Sequence, residues 1–316
     1  MNDDSHPGSW ERELIERVLQ GTLIEQRRAR RWRNFLRLLS LSLIMAVLAT
    51  VLFRNEMGVP TVTRRHTALV QLNGIIAPGT DANADIIIES LRAAYDNTHV
   101  AGVVLRIDSP GGSPVQAGRI NAEIKRLRKL HPTVPLHAVI DDICASGGYF
   151  VAVAADNIYA DRASVVGSIG VLMNGFGFVG AMDKLGVERR LVTAGAHKGF
   201  LDPFSPSDPV DLQHARGLLK AIHGQFIEVV KQGRGERLKN DPDLFSGLIW
   251  TGEQGLKLGL VDALGDTDWV AREVFKADKV VDYTVRPDYF SRLIRSTGSE
   301  AAAGMLNALG ERLRWQ

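Results

Sequence analysis

Residues 141–149 read Asp-Asp-Ile-Cys-Ala-Ser-Gly-Gly-Tyr, and Ser146 in this stretch is placed for nucleophilic chemistry. The apolar run Leu136–Ile140 ahead of it predicts a short buried strand, and Phe150–Ala155 after it predicts the first turns of a helix. A serine where a strand gives way to a helix, followed by two glycines, has what acyl transfer asks for. The backbone turns sharply, a substrate can approach closely, and free N–H groups at the helix start can stabilise an oxyanion. For a lone Ser-Gly-Gly the plain alternative is a helix cap, so the case for Ser146 rests on the rest of the chain.

Three further glycine-rich segments join it. Asp108-Ser-Pro-Gly-Gly-Ser113 ends the predicted strand Val103–Ile107, where glycine N–H groups open into a crevice at the carboxyl edge of a sheet. A phosphate loop would need Gly-Lys-Ser/Thr, and this segment has no lysine. The third segment is Gly167-Ser-Ile-Gly-Val171 and the fourth Gly195-Ala-His-Lys-Gly199, which closes a predicted strand at Arg190–Thr193. Once desolvated, Lys198 becomes a general base able to take a proton from a serine; the alternative is a surface lysine beside a turn. Of the eight histidines His197 alone adjoins a glycine segment and is a second candidate base, but neither a full Ser-His-Asp set nor a metal site is legible. The single cysteine, Cys144, excludes an intrachain disulfide and reads as a small buried hydrophobe, with a cysteine nucleophile as the minor alternative.

The elements that must hold these segments alternate. Strand signals at Thr67–Leu72, Val100–Ile107, Leu136–Ile140 and Ile158–Ala160 are separated by helical patterns at Ala84–Tyr95 and Ser113–Leu130 and by the helix after Ser146. This order predicts an α/β fold with a mainly parallel sheet. After Lys198 come Pro203, Pro206 and Pro209, then a long helix to Lys231 capped by Asp208, a polar stretch Gly233–Asp243 expected to be exposed, and a short helix from Thr251 ending at Gly259. With 316 residues and 45% hydrophobic content, the chain can bury a sizeable core.

The formal charge of +2 comes from residues 1–37, where eight arginines face six acids, leaving residues 38–316 balanced. A neutral body argues against nucleic acid as the main partner. Trp10–Ile24 has the spacing of an amphipathic helix, and residues 35–53 centre on an uncharged run, Leu38–Phe53, that predicts a membrane span. The arginine excess before it places residues 1–34 in the cytoplasm and the rest outside, in the inner-membrane topology expected of a bacterial chain; a cleavable signal peptide is the competing reading. The predicted organisation is thus 1–34 cytoplasmic, 35–53 anchor, 54–66 linker, 67–282 catalytic domain and 283–316 an amphipathic extension.

The segments Asp108-Ser-Pro-Gly-Gly, Ala145-Ser-Gly-Gly-Tyr, Gly167-Ser-Ile-Gly-Val, Leu185-Gly-Val, Thr251-Gly-Glu and Leu258-Gly-Leu-Val-Asp262, in this order, resemble the signal peptide peptidase A family of S49 serine peptidases over residues 67–270. The resemblance implies the Clp protease/crotonase-like fold of repeated β-β-α units and a Ser/Lys dyad, with Ser146 as nucleophile and Lys198 as general base. It gives Ser168 the part of orienting the lysine, and the backbone N–H groups of Gly111 or Gly112 and of Gly147 that of an oxyanion hole. It implies no metal or nucleotide cofactor and a substrate class of remnant signal peptides and other membrane-associated peptides. It further implies a ring-like homo-oligomer, about eight copies for a chain of this length, whose active sites can draw on adjacent subunits. His197 departs from the aromatic or small residue that often precedes the lysine in this family. Two other readings share the fold: a crotonase-type acyl-CoA enzyme, which gives no reason for Lys198, and a non-proteolytic membrane scaffold, disfavoured by the presence of both Ser146 and Lys198.

Overall fold

The computed structural model describes residues 28, 30–43, 45 and 63–286, and the chain divides between Pro60 and Thr61. Residues 30–43 are helical and exposed. Among the described residues no helix is long and apolar enough to cross a membrane. Residues 44 and 46–53 of the expected anchor, the Trp10–Ile24 segment and residues 287–316 of the expected extension lie outside the described residues.

From residue 63 onward the fold is an α/β arrangement. Strands β1 (His66–Asn73), β2 (Val100–Ser109) and β3 (Leu136–Ala145) alternate with helices α1 (Ala84–Asp96) and α2 (Pro114–Leu130). Helix α3 (Gly147–Ala152), β4 (Asn157–Ala160) and β5 (Val165–Gly167) follow, then α4 (Val179–Leu185), the long α5 (Pro209–Arg234), β6 (Ile249–Thr251), α6 (Gly252–Leu258), β7 (Ala263–Leu264) and β8 (Val280–Asp282). The sheet runs β6-β5-β3-β2-β1-β8, with β4 beside β3 and β7 beside β4. Its pairings are parallel except β5 with β6. Strands this apolar belong to a sheet covered on both faces. On one face Val70, Leu105 and Ala138 pack with Ile87 and Leu91 of α1 and Ile120 and Ile124 of α2; on the other Leu69, Val104 and Val139 pack with Val270 and Phe275. Gly102 is required there, because a methyl on it would fall 2.4 Å from the Phe275 ring.

Local chemistry sets the helix ends. Asn83, Ser113 and Asp208 cap α1, α2 and α5 with their side chains, and Pro114 and Pro209 occupy first-turn positions where a missing N–H is harmless. Thr251 and Gln254 form a capping box on α6, which ends at Gly259 in the left-handed conformation.

Four expectations need correction. The strand predicted at Leu136–Ile140 continues to Ala145, because β5 takes over from β4 along the same edge of β3 and pairs Ile143, Cys144 and Ala145. The helix after Ser146 begins at Gly147 and ends at Ala152, earlier at both ends than predicted. Arg190–Thr193 is not a strand, since no neighbouring strand among the described residues pairs with it. The polar stretch after Gly233 is not uniformly exposed: Arg234 is 2% exposed, held by Asp262 at 2.7 and 2.9 Å and by the Gly259 carbonyl at 2.9 Å.

Candidate active site

Ser146 sits at the junction of β3 and α3 with φ 51° and ψ −120°. A non-glycine residue rarely holds such a backbone, and where it does the surrounding structure must impose it. Here the Ser146 N–H donates to the Gly167 carbonyl at 2.9 Å and its carbonyl accepts from the Phe150 N–H at 2.9 Å, so the residue is fixed on both sides. It occupies the N-cap position of α3, yet its side chain makes no capping hydrogen bond. The capping alternative therefore fails, and the hydroxyl is left for chemistry.

The segment after β2 folds against it. Gly111 and Gly112 have φ of +102° and +146°, and a methyl on Gly111 would fall 2.6 Å from the Gly147 nitrogen and 2.8 Å from Ser146 Cβ. Side chains are excluded from this approach. The Gly111 N–H donates to Ser109 Oγ at 3.2 Å, whereas Ile76 bridges the segment through the Gly111 carbonyl and the Ser113 N–H, leaving the Gly112 N–H outside the pairing. The Gly147 N–H, first of its helix, has no intrahelical acceptor, and a methyl on Gly147 would lie 3.2 Å from the Gly112 nitrogen. Two unpaired donors thus converge beside Ser146, and of the three glycines predicted for this role Gly112 and Gly147 have their N–H groups available.

Ser168 lies on the other side. It shares φ 51° with Ser146 and is held by its N–H to the Leu248 carbonyl at 2.8 Å. A cleft of about 600 Å³ is lined by Ser146, Gly147 and Ser168 together with Gly112 and Phe150, and by Ile222, Gln225 and Phe226 of α5. Its walls are mixed, with aliphatic and aromatic side chains on the α5 side, as suits an apolar peptide segment.

Lys198 is not among the residues lining this cleft; it is exposed on the segment between α4 and α5. Its turn is held against α5: the His197 ring nitrogen Nδ1 donates to Asp211 Oδ1 at 2.7 Å, and Phe200 packs edge-on against His214 at 5.7 Å between centroids. Asp211 precedes Ile222 by eleven residues on one helix, which separates the lysine's anchor from the Ser146 cleft by about 16 Å along the axis. The structure therefore brings Ser146, Ser168 and the glycine donors together in one cleft that Lys198 of the same chain does not line. Residues 173–177 line a separate cavity of about 560 Å³ beside residues 199–208.

Cys144 is fully buried, and burial pushes its thiol up. That disposes of it as a thiolate nucleophile. Ser109 was missed by sequence reasoning, being one more serine in a turn; it is fully buried and its Oγ, besides accepting from Gly111, donates to the Gly74 carbonyl at 2.7 Å. The α5 wall was missed too, although Ile222 and Phe226 at i, i+4 mark an apolar face. His223 Nε2 of this helix donates to the Ile169 carbonyl at 3.0 Å, tying α5 to the segment after Ser168. Behind Ser146, Tyr149 is buried and donates its hydroxyl to the Leu260 carbonyl at 2.9 Å, which ties α3 to the segment beside the Arg234–Asp262 pair.

Comparison with known proteins agrees with this arrangement. Residues 128–281 match the model of peptidase family S49. Over 262 residues the chain is 29% identical to "Putative protease slr0021" of Synechocystis sp., covering 81% of this chain and 92% of that protein. It is 29% identical to Protease 4 of Haemophilus influenzae over 225 residues, covering 68% and 35% respectively. It is 41% identical over 224 residues to a Brucella abortus protein named Na(+)/H(+) antiporter NhaA, covering 69% of this chain and 30% of that protein. The chain thus spans under a third of the antiporter-named relative and nearly all of the Synechocystis one. With the S49 match running from β3 into β8 and taking in the strained serine, the chain belongs to peptidase family S49, the family of signal peptide peptidase A.

Proposed function

We propose that this protein is a serine endopeptidase of the Clp protease/crotonase-like fold, anchored by its N-terminal segment in the inner membrane, that degrades remnant signal peptides and other membrane-associated peptides. The observation that carries the reading is Ser146 itself, strained and uncapped between the Gly112 and Gly147 N–H groups. Ser146 Oγ attacks the peptide carbonyl, the oxyanion forms against the two glycine donors, and Lys198 takes the serine proton and returns it to the leaving amine. Water then hydrolyses the acyl-enzyme.

The position of Lys198 supports a dyad formed between copies. Its segment carries Leu172, Phe176, Leu185 and Val192, each more than three-quarters exposed, apolar side chains that a neighbouring copy would cover. A head-to-tail ring of about eight copies would cover that surface and carry the lysine of one copy to the serine of the next. Packing against the neighbour would also desolvate the amine and fit it to act as a base. Transport is no part of the proposal, because the match spans only 30% of the antiporter-named relative and 92% of the Synechocystis one.

The test is hydrolysis of a fluorogenic apolar peptide by the full-length chain in detergent. Ser146→Ala and Lys198→Ala should each lower kcat/KM by about a thousandfold or more, with the mass of the assembly unchanged. Full activity in Ser146→Ala would end the serine mechanism.

A further inference from the structure

We infer that the His197–Asp211 pair is a positioning device for the Lys198 base, an inference that rests on the dyad reading above. The lysine sits on a short exposed turn, closed by the Lys198 N–H to the Gly195 carbonyl at 3.2 Å and the Phe200 N–H to the His197 carbonyl at 3.1 Å. Gly195 at φ +106° allows the chain to enter that turn. Such a turn, left to itself, offers a general base no fixed direction. Two side chains flanking Lys198 remove that freedom. His197 reaches Asp211 in the first turn of α5, and Phe200 packs on His214 one turn further along the same helix.

The pair is built for holding. A carboxylate accepts and never donates, so the bridging proton must sit on His197 Nδ1. That N–H is present in the Nδ1-protonated neutral ring and in the imidazolium alike, so the tether does not depend on the ring's charge. Asp211 is 13% exposed in its side chain and lies where the positive end of the helix dipole favours a carboxylate. His197 is 60% exposed, so the ring is not held by burial and the hydrogen bond is its main attachment. The same helix, eleven to fifteen residues on, lines the Ser146 cleft with Ile222 and Phe226. Helix α5 therefore presents the lysine turn near one end and a cleft wall further along. In a ring each copy would meet its neighbour with both elements in fixed relation, and the His197–Asp211 pair sets where the amine points.

The experiment measures kcat and KM on a fluorogenic apolar peptide for full-length wild type, His197→Ala, His197→Asn, Asp211→Ala, the His197→Ala/Asp211→Ala double variant and Lys198→Ala, with assembly mass recorded. Losing the tether should lower kcat by about ten- to a hundredfold with KM within about twofold, since the base is misdirected while the cleft is untouched. His197→Asn, whose amide N–H stands where Nδ1–H stood, should recover most of kcat. The double variant should be no worse than the worse single one, the signature of two groups acting as a unit. Wild-type kcat in His197→Ala, with Lys198→Ala inactive, would overturn this inference and leave the dyad standing. Retained activity in Lys198→Ala that is lost in His197→Ala would make His197 the base and overturn both.

Discussion

At Ser146 the chain holds a strained backbone. A φ of 51° with ψ −120° costs a non-glycine residue about 1–3 kcal/mol. Ser146→Gly should therefore raise the thermal midpoint while abolishing hydrolysis; an unchanged or lower midpoint, measured by calorimetry, would mean that the backbone is not strained there. Gly111 makes the opposite case. At φ +102°, with a methyl 2.8 Å from Ser146 Cβ, Gly111→Ala should lose activity and about 2 kcal/mol of stability or more, read by urea titration beside the activity assay. The nucleophile was legible in the sequence because two glycines follow it and a second glycine pair ends the preceding strand. The work of Ser109 was not, because a buried serine bonding two backbone groups looks in sequence like any turn serine. Nor was the absence of Lys198 from the Ser146 cleft, since residue types do not fix which side chains the fold brings to one cleft.

The elements that carry these residues were legible where burial makes the pattern simple. Strand β2 carries the buried apolar run Val103–Leu105 and Ile107, and α1 and α2 announce themselves by apolar spacing and caps. The extension of β3 was hidden because Asp141 and Asp142 interrupt the apolar pattern; both are exposed, and Asp141 lies 3.6 Å from Arg106 across the sheet surface. Arg234 was misread because a lone arginine in a polar stretch defaults to solvent, and its partner Asp262 lies 28 residues further on. Burial works to raise the Asp262 carboxyl, and the hydrogen bonds and charge of Arg234 outweigh it and hold the group low. Breaking this pair should cost about 3 kcal/mol or more in Arg234→Met, and Arg234→Met/Asp262→Leu should recover part of it, because the double variant leaves no buried charge unpaired. Glu123 on α2 gives a pH test. Hydrogen bonds from Arg126, with Arg92 adding to them, outweigh burial and hold Glu123 at about 2 against an ordinary 4.5. Its folded pKa lies below its unfolded value, so its contribution is complete above pH 4.5 and is lost as pH falls towards 2. The thermal midpoint of Glu123→Gln should thus lie below wild type at pH 7, with the gap narrowing below about pH 4.5; a gap independent of pH would contradict the assignment.

At the scale of the whole molecule, the proposed dyad needs copies working together. The chain has a cleft at Ser146 and a lysine turn that does not line it, both against helix α5, with exposed apolar side chains between α3 and α5. On the proposed dyad between copies, each chain would be both a donor and a receiver of the base, and an isolated chain should be inactive. The most direct measurement co-assembles Ser146→Ala chains with Lys198→Ala chains, each inactive alone, and follows hydrolysis of the fluorogenic peptide. A lysine working across the boundary predicts that mixed assemblies regain activity, up to about a quarter of wild type for a random equal mixture in a head-to-tail ring. Mixed assemblies of confirmed composition that remain inactive would contradict a dyad shared between neighbouring copies.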